Sequence, residues 1–483
     1  MASFVPFATH AGHDQRHGLA LTAAAAAVLS ILLVIGLRWP ILWLGCAAAV
    51  AGAGVLWGVR YTTRYPLWLP FALMLVEVLP SINFLDESIR PLLRYPLLVL
   101  FCAPAFPRRW RGSMLSQGGF RLYTFYFVLA CFSVSYSIAP AYSLGRVLGS
   151  VLLFGALFTV SQEVKDAHDV QKLFGTYWAA CGIVLILLAL SLVVLPRDVT
   201  WVAPDQWAHD SVLRFAGILG SPNQVGEIVV PSVASGILFW PAATKRVRIA
   251  IAVSVVAAIY FAAIADSRSS LLAVMVGLFA FTVDRYRRRA LVVWAVLLLL
   301  GIVTLSILDR DTLEYVNRGD ATTLTGRTEI WRFTIDKIAQ EPLLGYGYEV
   351  EGQIFQDRHF PLWEEMWNQG PHIAVHSGYL ARAVGMGVPA LLLWLFLTLR
   401  PLIAVFRGAP DGFKIRDAIA LGALPVLILN IDESAASDCR YSVGLLLAII
   451  WCIAERSRLM SKQRSDSPEE SARVILLASA DLK

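Results

Sequence analysis

Charged side chains are scarce in this chain. Asp, Glu, Lys and Arg make up 16% of its 483 residues, and hydrophobic residues make up 57%. A soluble globular protein carries about a quarter charged residues, so this deficit excludes a soluble domain of this length. The apolar runs 19–37, 247–265 and 290–308 approach the roughly 20 residues that a helix needs to cross a bilayer. The composition therefore predicts one polytopic helical membrane domain.

Cysteine is also sparse, and its spacing is wrong for a disulfide framework or a metal site. No Cys-x-x-Cys pair occurs, and Cys439 stands alone in a polar stretch. The other five lie in apolar runs, where cysteine behaves as a small hydrophobic residue. They are Cys46, Cys102, Cys131, Cys181 and Cys452. We expect neither a bound metal nor a cofactor.

Hydropathy predicts about fourteen membrane spans. Their approximate extents are 19–37, 41–58, 66–81, 92–106, 119–137, 143–162, 173–195, 226–242, 247–265, 270–283, 290–308, 377–399, 417–431 and 441–454. Several are short, so the fold class that we predict is an all-α transmembrane bundle of about 12–14 spans with one long external loop. The predicted parts are N-terminal transmembrane helices (1–200), further transmembrane helices (201–308), the loop domain (309–375), C-terminal transmembrane helices (376–460) and a tail (461–483).

Basic residues are concentrated in alternate loops. One set of loops holds clusters such as Arg108, Arg109 and Arg111, or the four arginines within 285–289. The other set is neutral or acidic, and the stretch 309–375 has six Arg and Lys against twelve Asp and Glu, a net charge of −6. The positive-inside rule then puts both termini in the cytoplasm and the long loop outside. The net charge of +6 is thus a topology signal, and we expect no nucleic-acid partner.

This topology places four candidate site residues on the external face: Arg214, Arg268, Arg327 and His376. Each has an ordinary explanation when taken singly. Arginines near helix ends extend towards the interface, Arg327 lies in an acidic loop, and an interfacial histidine is more often structural than catalytic. On composition, two further histidines of the loop are equally eligible, namely His359 and His372.

The combination of these residue types favours a chemical site. The planar fork of arginine binds two phosphate oxygens at once. Histidine titrates near neutral pH, so it can take a proton from an attacking hydroxyl. Arginines on a diphosphate and a histidine beside an acceptor hydroxyl together predict a group-transfer site. The diphosphate is then the leaving group, and its developing charge is stabilised electrostatically.

The long loop is predicted to be folded. A helix starts at Thr325 as N-cap and ends at Pro342, with Arg327 in the first turn, where free backbone N–H groups favour anions. A turn follows at 345–348. The residues that follow helical spacing as one face are Trp331, Ile335, Ile338 and Ala339.

Ordered motifs in the second half of the chain resemble a known family. They read Gly326-Arg327-Thr328-Glu329-Ile330-Trp331, then Pro342-Leu343-Leu344-Gly345-Tyr346-Gly347, then His376-Ser377-Gly378-Tyr379-Leu380 followed by Gly385 and Gly387. With the turns at 217–223 and 267–269, this set resembles the O-antigen ligase and Wzy-type polymerase superfamily over roughly residues 210–405.

The resemblance implies a GT-C-like, metal-independent glycosyltransferase of the bacterial inner membrane with a periplasmic active site. Such enzymes take a glycan from undecaprenyl diphosphate and pass it to a sugar hydroxyl. The acceptor is lipid A–core in ligases and a second lipid-linked glycan in polymerases, and membrane lipids surround the enzyme. Carried over, Arg214, Arg327 and Arg268 bind the donor, and His376 is the catalytic residue. The resemblance leaves ligase and polymerase open.

Two other classes of protein stay open. A transporter of lipid-linked glycans requires ionisable residues within its spans, and Glu77 is nearly the only such candidate in the sequence. A scaffold of a polysaccharide export assembly does not require the arginines and the histidine.

Overall fold

The computed structural model of the chain describes residues 53–78, 89–103, 118–202, 213–307, 327–356, 374–406, 415–432 and 442–465. The chain forms two compact units, Met1–Tyr61 and Thr62–Lys483. In the first unit, residues 53–61 are helical, and the rings of Trp57 and Tyr61 stack with their centroids 4.9 Å apart. The second unit contains all the other described residues.

Helices dominate the second unit. In chain order they are α1 (Leu69–Val78), α2 (Ile89–Cys102), α3 (Gly118–Ser133), α4 (Pro140–Glu163), α5 (Ala167–Val194), α6 (Pro222–Phe239), α7 (Lys245–Ile264), α8 (Arg268–Tyr286), α9 (Arg288–Ile307), α10 (Arg327–Gln340), α11 (Gly378–Phe406), α12 (Leu424–Asp432) and α13 (Ser442–Ser465). A short helix at Ile415–Ala418 and a π-helix at Ile419–Ala423 lead directly into α12. The strands β1 (Trp201–Val202) and β2 (Arg214–Phe215) pair antiparallel.

Six of the described helices are long and apolar enough to cross a membrane. They lie at Pro140–Glu163, Ala167–Val194, Pro222–Ala242, Lys245–Ile264, Arg268–Tyr286 and Gly378–Arg400. The prediction of an all-α polytopic membrane protein is thereby confirmed. The predicted span 19–37 and most of 41–58 lie outside the described residues, so the total number of spans stays a prediction.

Local sequence signals explain where several helices begin. The carboxylate of Asp166 accepts a hydrogen bond from the backbone N–H of Asp169 at 2.9 Å, which caps α5. Proline occupies the first position of α4 (Pro140) and α6 (Pro222), where its missing N–H costs nothing because that group has no partner within the helix. These signals set where α4, α5 and α6 begin.

Helix α6 is the most buried of the six apolar helices, and it packs against α5, α7 and α8. Its inward positions include small residues such as Ser232, Ala234 and Ser235, which are fully buried. Small side chains let helices approach closely in a membrane, where packing rather than hydrophobicity drives association. The small side chains of α6 therefore allow α5, α7 and α8 to pack closely against it.

Helix α11 is broken about a third of the way along, at Gly387. Gly387 has φ 82° and ψ 167°, a conformation that residues with a Cβ rarely adopt. The backbone groups released there bind the stretch 342–347: Tyr346 N–H donates to Val384 O at 3.0 Å, and Gly347 N–H donates to Gly385 O at 2.7 Å. Backbone outside a helix is tolerated at membrane depth where protein surrounds it and satisfies its polar groups. This explains why the two glycine-containing motifs occur together.

The described part of the long loop is folded, as predicted. Helix α10 begins at Arg327 and ends before Pro342, and Glu349 and the glycines of the 345–348 turn have positive φ. The packed face of α10 agrees with the predicted one at Trp331 and Ile338, which pack against the core, and differs at Ile335. Ile330 and Phe333 are buried in a core shared with α11, whereas Ile335 is 54% exposed. The predicted N-cap Thr325 lies outside the described residues.

Candidate functional site

Arg214 lies in β2 and joins two segments that are distant in sequence. Its Nε donates to the carbonyl oxygen of Ala265 at 3.1 Å, and its Nη2 donates to Oδ1 of Asn223 at 2.9 Å. Asn223 belongs to the first turn of α6, and Ala265 follows α7 directly. Two neutral oxygens therefore orient the guanidinium.

Arg268 is the first residue of α8, and it lies beside Asp266 at the same turn. The Nε of Arg268 and Oδ1 of Asp266 are 3.2 Å apart, and the Arg268 side chain is 44% exposed. The turn contacts α6 closely, because a Cβ built on Gly226 would lie 2.0 Å from Oγ of Ser267. The structure thus brings the turns of Arg214 and Arg268 together.

Arg327 opens α10, one helical turn before Trp331. The indole Nε1 of Trp331 donates to the backbone oxygen of Val375 at 2.9 Å, and Val375 is the residue before His376. Four residues of α-helix rise roughly 6 Å. The motif that holds Arg327 is therefore attached to the turn that holds His376.

His376 has φ 50°, which is unusual for a residue with a Cβ. The next residue, Ser377, accepts a hydrogen bond at its backbone oxygen from Ala381 N–H at 2.9 Å and so starts α11. Gly378 follows in close contact with α12, since a Cβ on it would lie 1.8 Å from Oδ1 of the buried Asn430. Both sides of the histidine are fixed by packing.

Backbone strain marks the same region. Among the described residues, four that are not glycine have positive φ, and three of them are Asp266, Glu349 and His376. Such conformations cost free energy, on the order of 1–3 kcal/mol each, and persist only where surrounding structure holds them. They often cluster at functional sites. This observation motivates a functional reading of the two turns and the segment between α10 and α11.

The structure links these parts through α8 and α12. Helix α8, which begins at Arg268, packs against α12, and α12 packs against α11 at its Asn430–Gly378 contact. Arg214 with Arg268 thus form one group, and the helix of Arg327 with the turn of His376 form another. The first group offers the guanidinium groups of Arg214 and Arg268, and the second offers the guanidinium of Arg327 and one imidazole.

The sequence did not predict two features of the structure. Arg382 and Glu349 form a buried ion pair, with Arg382 Nη2 3.1 Å from Glu349 Oε1. Glu227 is also buried within α6. The expectation that Glu77 is nearly the only ionisable residue within a span was therefore wrong. An arginine six positions after His376 in an apolar run was visible in the sequence. Its partner, 33 positions earlier, was not.

Other polar chemistry at the site is limited. No group of three or more His, Cys, Asp and Glu side chains in the described parts of the chain is arranged to hold a metal ion. The Tyr136 hydroxyl donates to Leu344 O at 2.9 Å and helps to hold the segment that pairs with α11.

The chain is similar to one protein family over part of its second half. Residues 253–395 match the family model described as O-antigen ligase, which confirms the resemblance that the motifs indicated. No curated protein matches the chain. The matched range includes Arg268, Arg327 and His376, and Arg214 lies before it.

Proposed function

We propose that this membrane protein, whose residues 253–395 match the O-antigen ligase family model, transfers a glycan from undecaprenyl diphosphate to a sugar hydroxyl. The reaction takes place at the periplasmic face of the bacterial inner membrane, with both chain termini in the cytoplasm. The family supports glycosyl transfer as the class of activity. The donor, the acceptor and the membrane side are our inferences from the candidate site and from the charge of the loops.

The observation that carries the proposal is that the turns of Arg214 and Arg268 are in contact, through the bond from Arg214 to Ala265. The guanidinium of Arg214 is held in place by hydrogen bonds to two neutral oxygens, those of Ala265 and Asn223. A guanidinium that is already held in place before the ligand arrives loses little conformational entropy when it binds a diphosphate. We infer that Arg214 and Arg268, joined by Arg327, bind the donor diphosphate.

His376 then acts on the acceptor. Its imidazole takes the proton of the acceptor hydroxyl as that oxygen attacks the anomeric carbon of the donor glycan. A new glycosidic bond forms, the bond between the anomeric carbon and the diphosphate oxygen breaks, and undecaprenyl diphosphate leaves with the electron pair. Arginines stabilise the charge that develops on the leaving group. In this proposal they supply the charge stabilisation that a metal ion provides in other transferases.

Either of two acceptors fits this chemistry. Lipid A–core makes the protein a ligase, and a second lipid-linked glycan makes it a polymerase of a surface polysaccharide. Of the two, we favour the polymerase because of the motif Gly326-Arg327-Thr328-Glu329-Ile330-Trp331. A transporter is less supported, because residues 253–395 match a family model that is described as O-antigen ligase.

Reconstitution of the purified protein tests the proposal. The protein is incorporated into lipid vesicles with an undecaprenyl diphosphate-linked glycan, with and without lipid A–core, and the products are separated on a gel. Transfer that requires lipid A–core identifies a ligase, and a ladder from the donor alone identifies a polymerase. Folded protein that releases no undecaprenyl diphosphate under either condition contradicts the proposal and favours transport or scaffolding.

A further inference from the structure

The ion pair between Arg382 and Glu349 lies within the bundle and outside the set of residues that bind substrate in the proposal above. The side chains of Arg382 and Glu349 are 3% and 6% exposed, and Nη2 lies 3.1 Å from Oε1. Removing two charges from water is expensive, and the attraction between them offsets that cost only when the geometry is good. A buried pair is therefore weak evidence for stability, and its position calls for a different explanation.

Arg382 lies on the part of α11 that precedes the break at Gly387. This part, residues 378–386, begins directly after the turn of His376. At the break the helical hydrogen bonding is interrupted, and backbone groups of the stretch 342–347 bond to Val384, Gly385 and Val388 instead. The orientation of residues 378–386 is thus set by their own contacts as well as by the rest of α11.

Glu349 is held firmly by its neighbour Tyr348, all of whose polar groups are bonded to α3 and α4. Tyr348 N–H donates to Ser133 Oγ at 3.1 Å, and Ser143 Oγ donates to Tyr348 O at 2.9 Å. The phenol of Tyr348 donates to Ser150 Oγ at 3.1 Å. The carboxylate that receives Arg382 therefore belongs to a segment anchored on two other helices.

Aromatic rings fix the guanidinium in addition. The Cζ atom of Arg382 lies 5.0 Å from the ring centroid of Tyr348 and 5.9 Å from that of Tyr126 on α3. Both distances are within the range of cation–π attraction. Glu349 itself has φ 59°, a conformation that surrounding structure must impose on a residue with a Cβ. The ion pair, the two aromatic rings and the strained backbone of Glu349 thus all lie at one contact, which joins α11 to α3 and α4.

We propose that Arg382 and Glu349 are positioning residues, which hold the first turns of α11 so that His376 faces the acceptor hydroxyl. The inference rests on the proposed function of His376. A displacement of about 1 Å at a reacting group costs up to about a hundredfold in rate. A contact that sets the direction of a short helical segment is therefore sufficient to control turnover without touching the substrate.

The test compares Glu349→Gln and Arg382→Lys with wild-type protein in lipid vesicles. Glu455→Gln is the matched control, because Glu455 is equally buried and pairs with Arg458 at 2.7 Å, next to Gly119 on α3. We expect kcat per folded molecule to fall about ten- to a hundredfold in Glu349→Gln, with KM for the donor unchanged. Arg382→Lys keeps the positive charge and is expected to retain more activity than Glu349→Gln. The control is expected to lose folded protein and to keep its kcat.

Hydrogen exchange separates failure of this inference from failure of the proposed function. In Glu349→Gln the amides of Tyr346, Gly347 and Ala381 are expected to exchange faster, and in Glu455→Gln they are expected to be unchanged. Wild-type exchange at these amides in Glu349→Gln, or an unchanged kcat, overturns the positioning role. A wild-type protein without any transfer activity overturns the proposed function, whereas the exchange of these amides still reports on the ion pair.

Discussion

The indole nitrogen of Trp331 lies 2.9 Å from the backbone oxygen of Val375, the residue immediately before His376. This single hydrogen bond connects the helix of Arg327 with the turn of the proposed catalytic residue. The two motifs are separated in sequence by the stretch 332–374. The bond explains why a tryptophan at that position belongs with the motif, since phenylalanine is aromatic but has no N–H to donate.

Trp331→Phe is expected to slow glycan transfer about three- to tenfold. A lost hydrogen bond contributes about 1 kcal/mol, and a factor of ten in rate corresponds to about 1.4 kcal/mol. The initial rate per folded molecule is the measurement. Trp294→Phe is the control, because Trp294 donates its indole N–H to Thr282 Oγ1 at 2.9 Å on α8. Equal effects of the two substitutions would mean that the Trp331 bond has no special link to the site.

Asn223→Asp is expected to weaken donor binding about tenfold, which corresponds to about 1.4 kcal/mol. The new carboxylate would lie where Oδ1 now accepts from Arg214 at 2.9 Å, and it would compete with the diphosphate for the guanidinium. Folding stability is expected to stay the same or rise, because the hydrogen bond becomes charge-assisted. Donor affinity and the thermal unfolding midpoint are measured together. Wild-type affinity in this variant removes Arg214 from the diphosphate site.

Asp266→Asn gives the opposite expectation at the neighbouring turn. The substitution removes a carboxylate whose Oδ1 lies 3.2 Å from Arg268 Nε, and asparagine also tolerates the positive φ of 48° found there. If Arg268 binds the diphosphate, donor affinity rises severalfold, and the gain shrinks at high salt because the pair is partly exposed. Titration of donor at two salt concentrations measures this. An affinity that does not change places Arg268 outside the donor site.

The helices were largely predictable from the sequence because hydropathy is a property of each segment alone. The predicted spans 247–265 and 290–308 correspond to α7 (Lys245–Ile264) and α9 (Arg288–Ile307) within about two residues at each end. The loop helix and its end before Pro342 were predictable for the same reason, since proline and periodicity act locally. The family motifs gave the candidate residues but no distances between them.

The contacts between distant segments were not predictable. The break at Gly387 exists because Leu343 passes so close that a Cβ would lie 2.2 Å from its backbone oxygen. The pairing of Arg382 with Glu349, and of Arg214 with Ala265, likewise depends on how helices pack. The packed face of α10 was misjudged at Ile335 for this reason: periodicity identifies a helix but not the direction of the neighbour that covers it.

Gly387→Ala is expected to destabilise the protein by about 2 kcal/mol or more, because both φ 82° and the Leu343 oxygen oppose a Cβ. Gly182→Ala on α5 is the matched control. A Cβ at Gly182 meets nothing within 4 Å, and alanine in a helix interior is favoured over glycine by about 1 kcal/mol. Thermal unfolding midpoints in the same lipid are expected to shift in opposite directions. A fall of equal size in both would show that the break at Gly387 is not fixed by the backbone that passes it.

His376→Asn separates the chemistry of the histidine from its strained backbone. Asparagine adopts positive φ more readily than alanine, so at φ 50° the Asn variant is expected to be more stable than His376→Ala. Neither side chain can accept the acceptor proton as an imidazole does. Both variants are therefore expected to bind donor like wild type and to lose transfer by about a hundredfold or more. Donor binding, transfer rate and unfolding midpoint are measured for each. Transfer by His376→Asn at the wild-type rate would exclude the imidazole as the base, and activity that follows the unfolding midpoint would make His376 a structural residue of the turn.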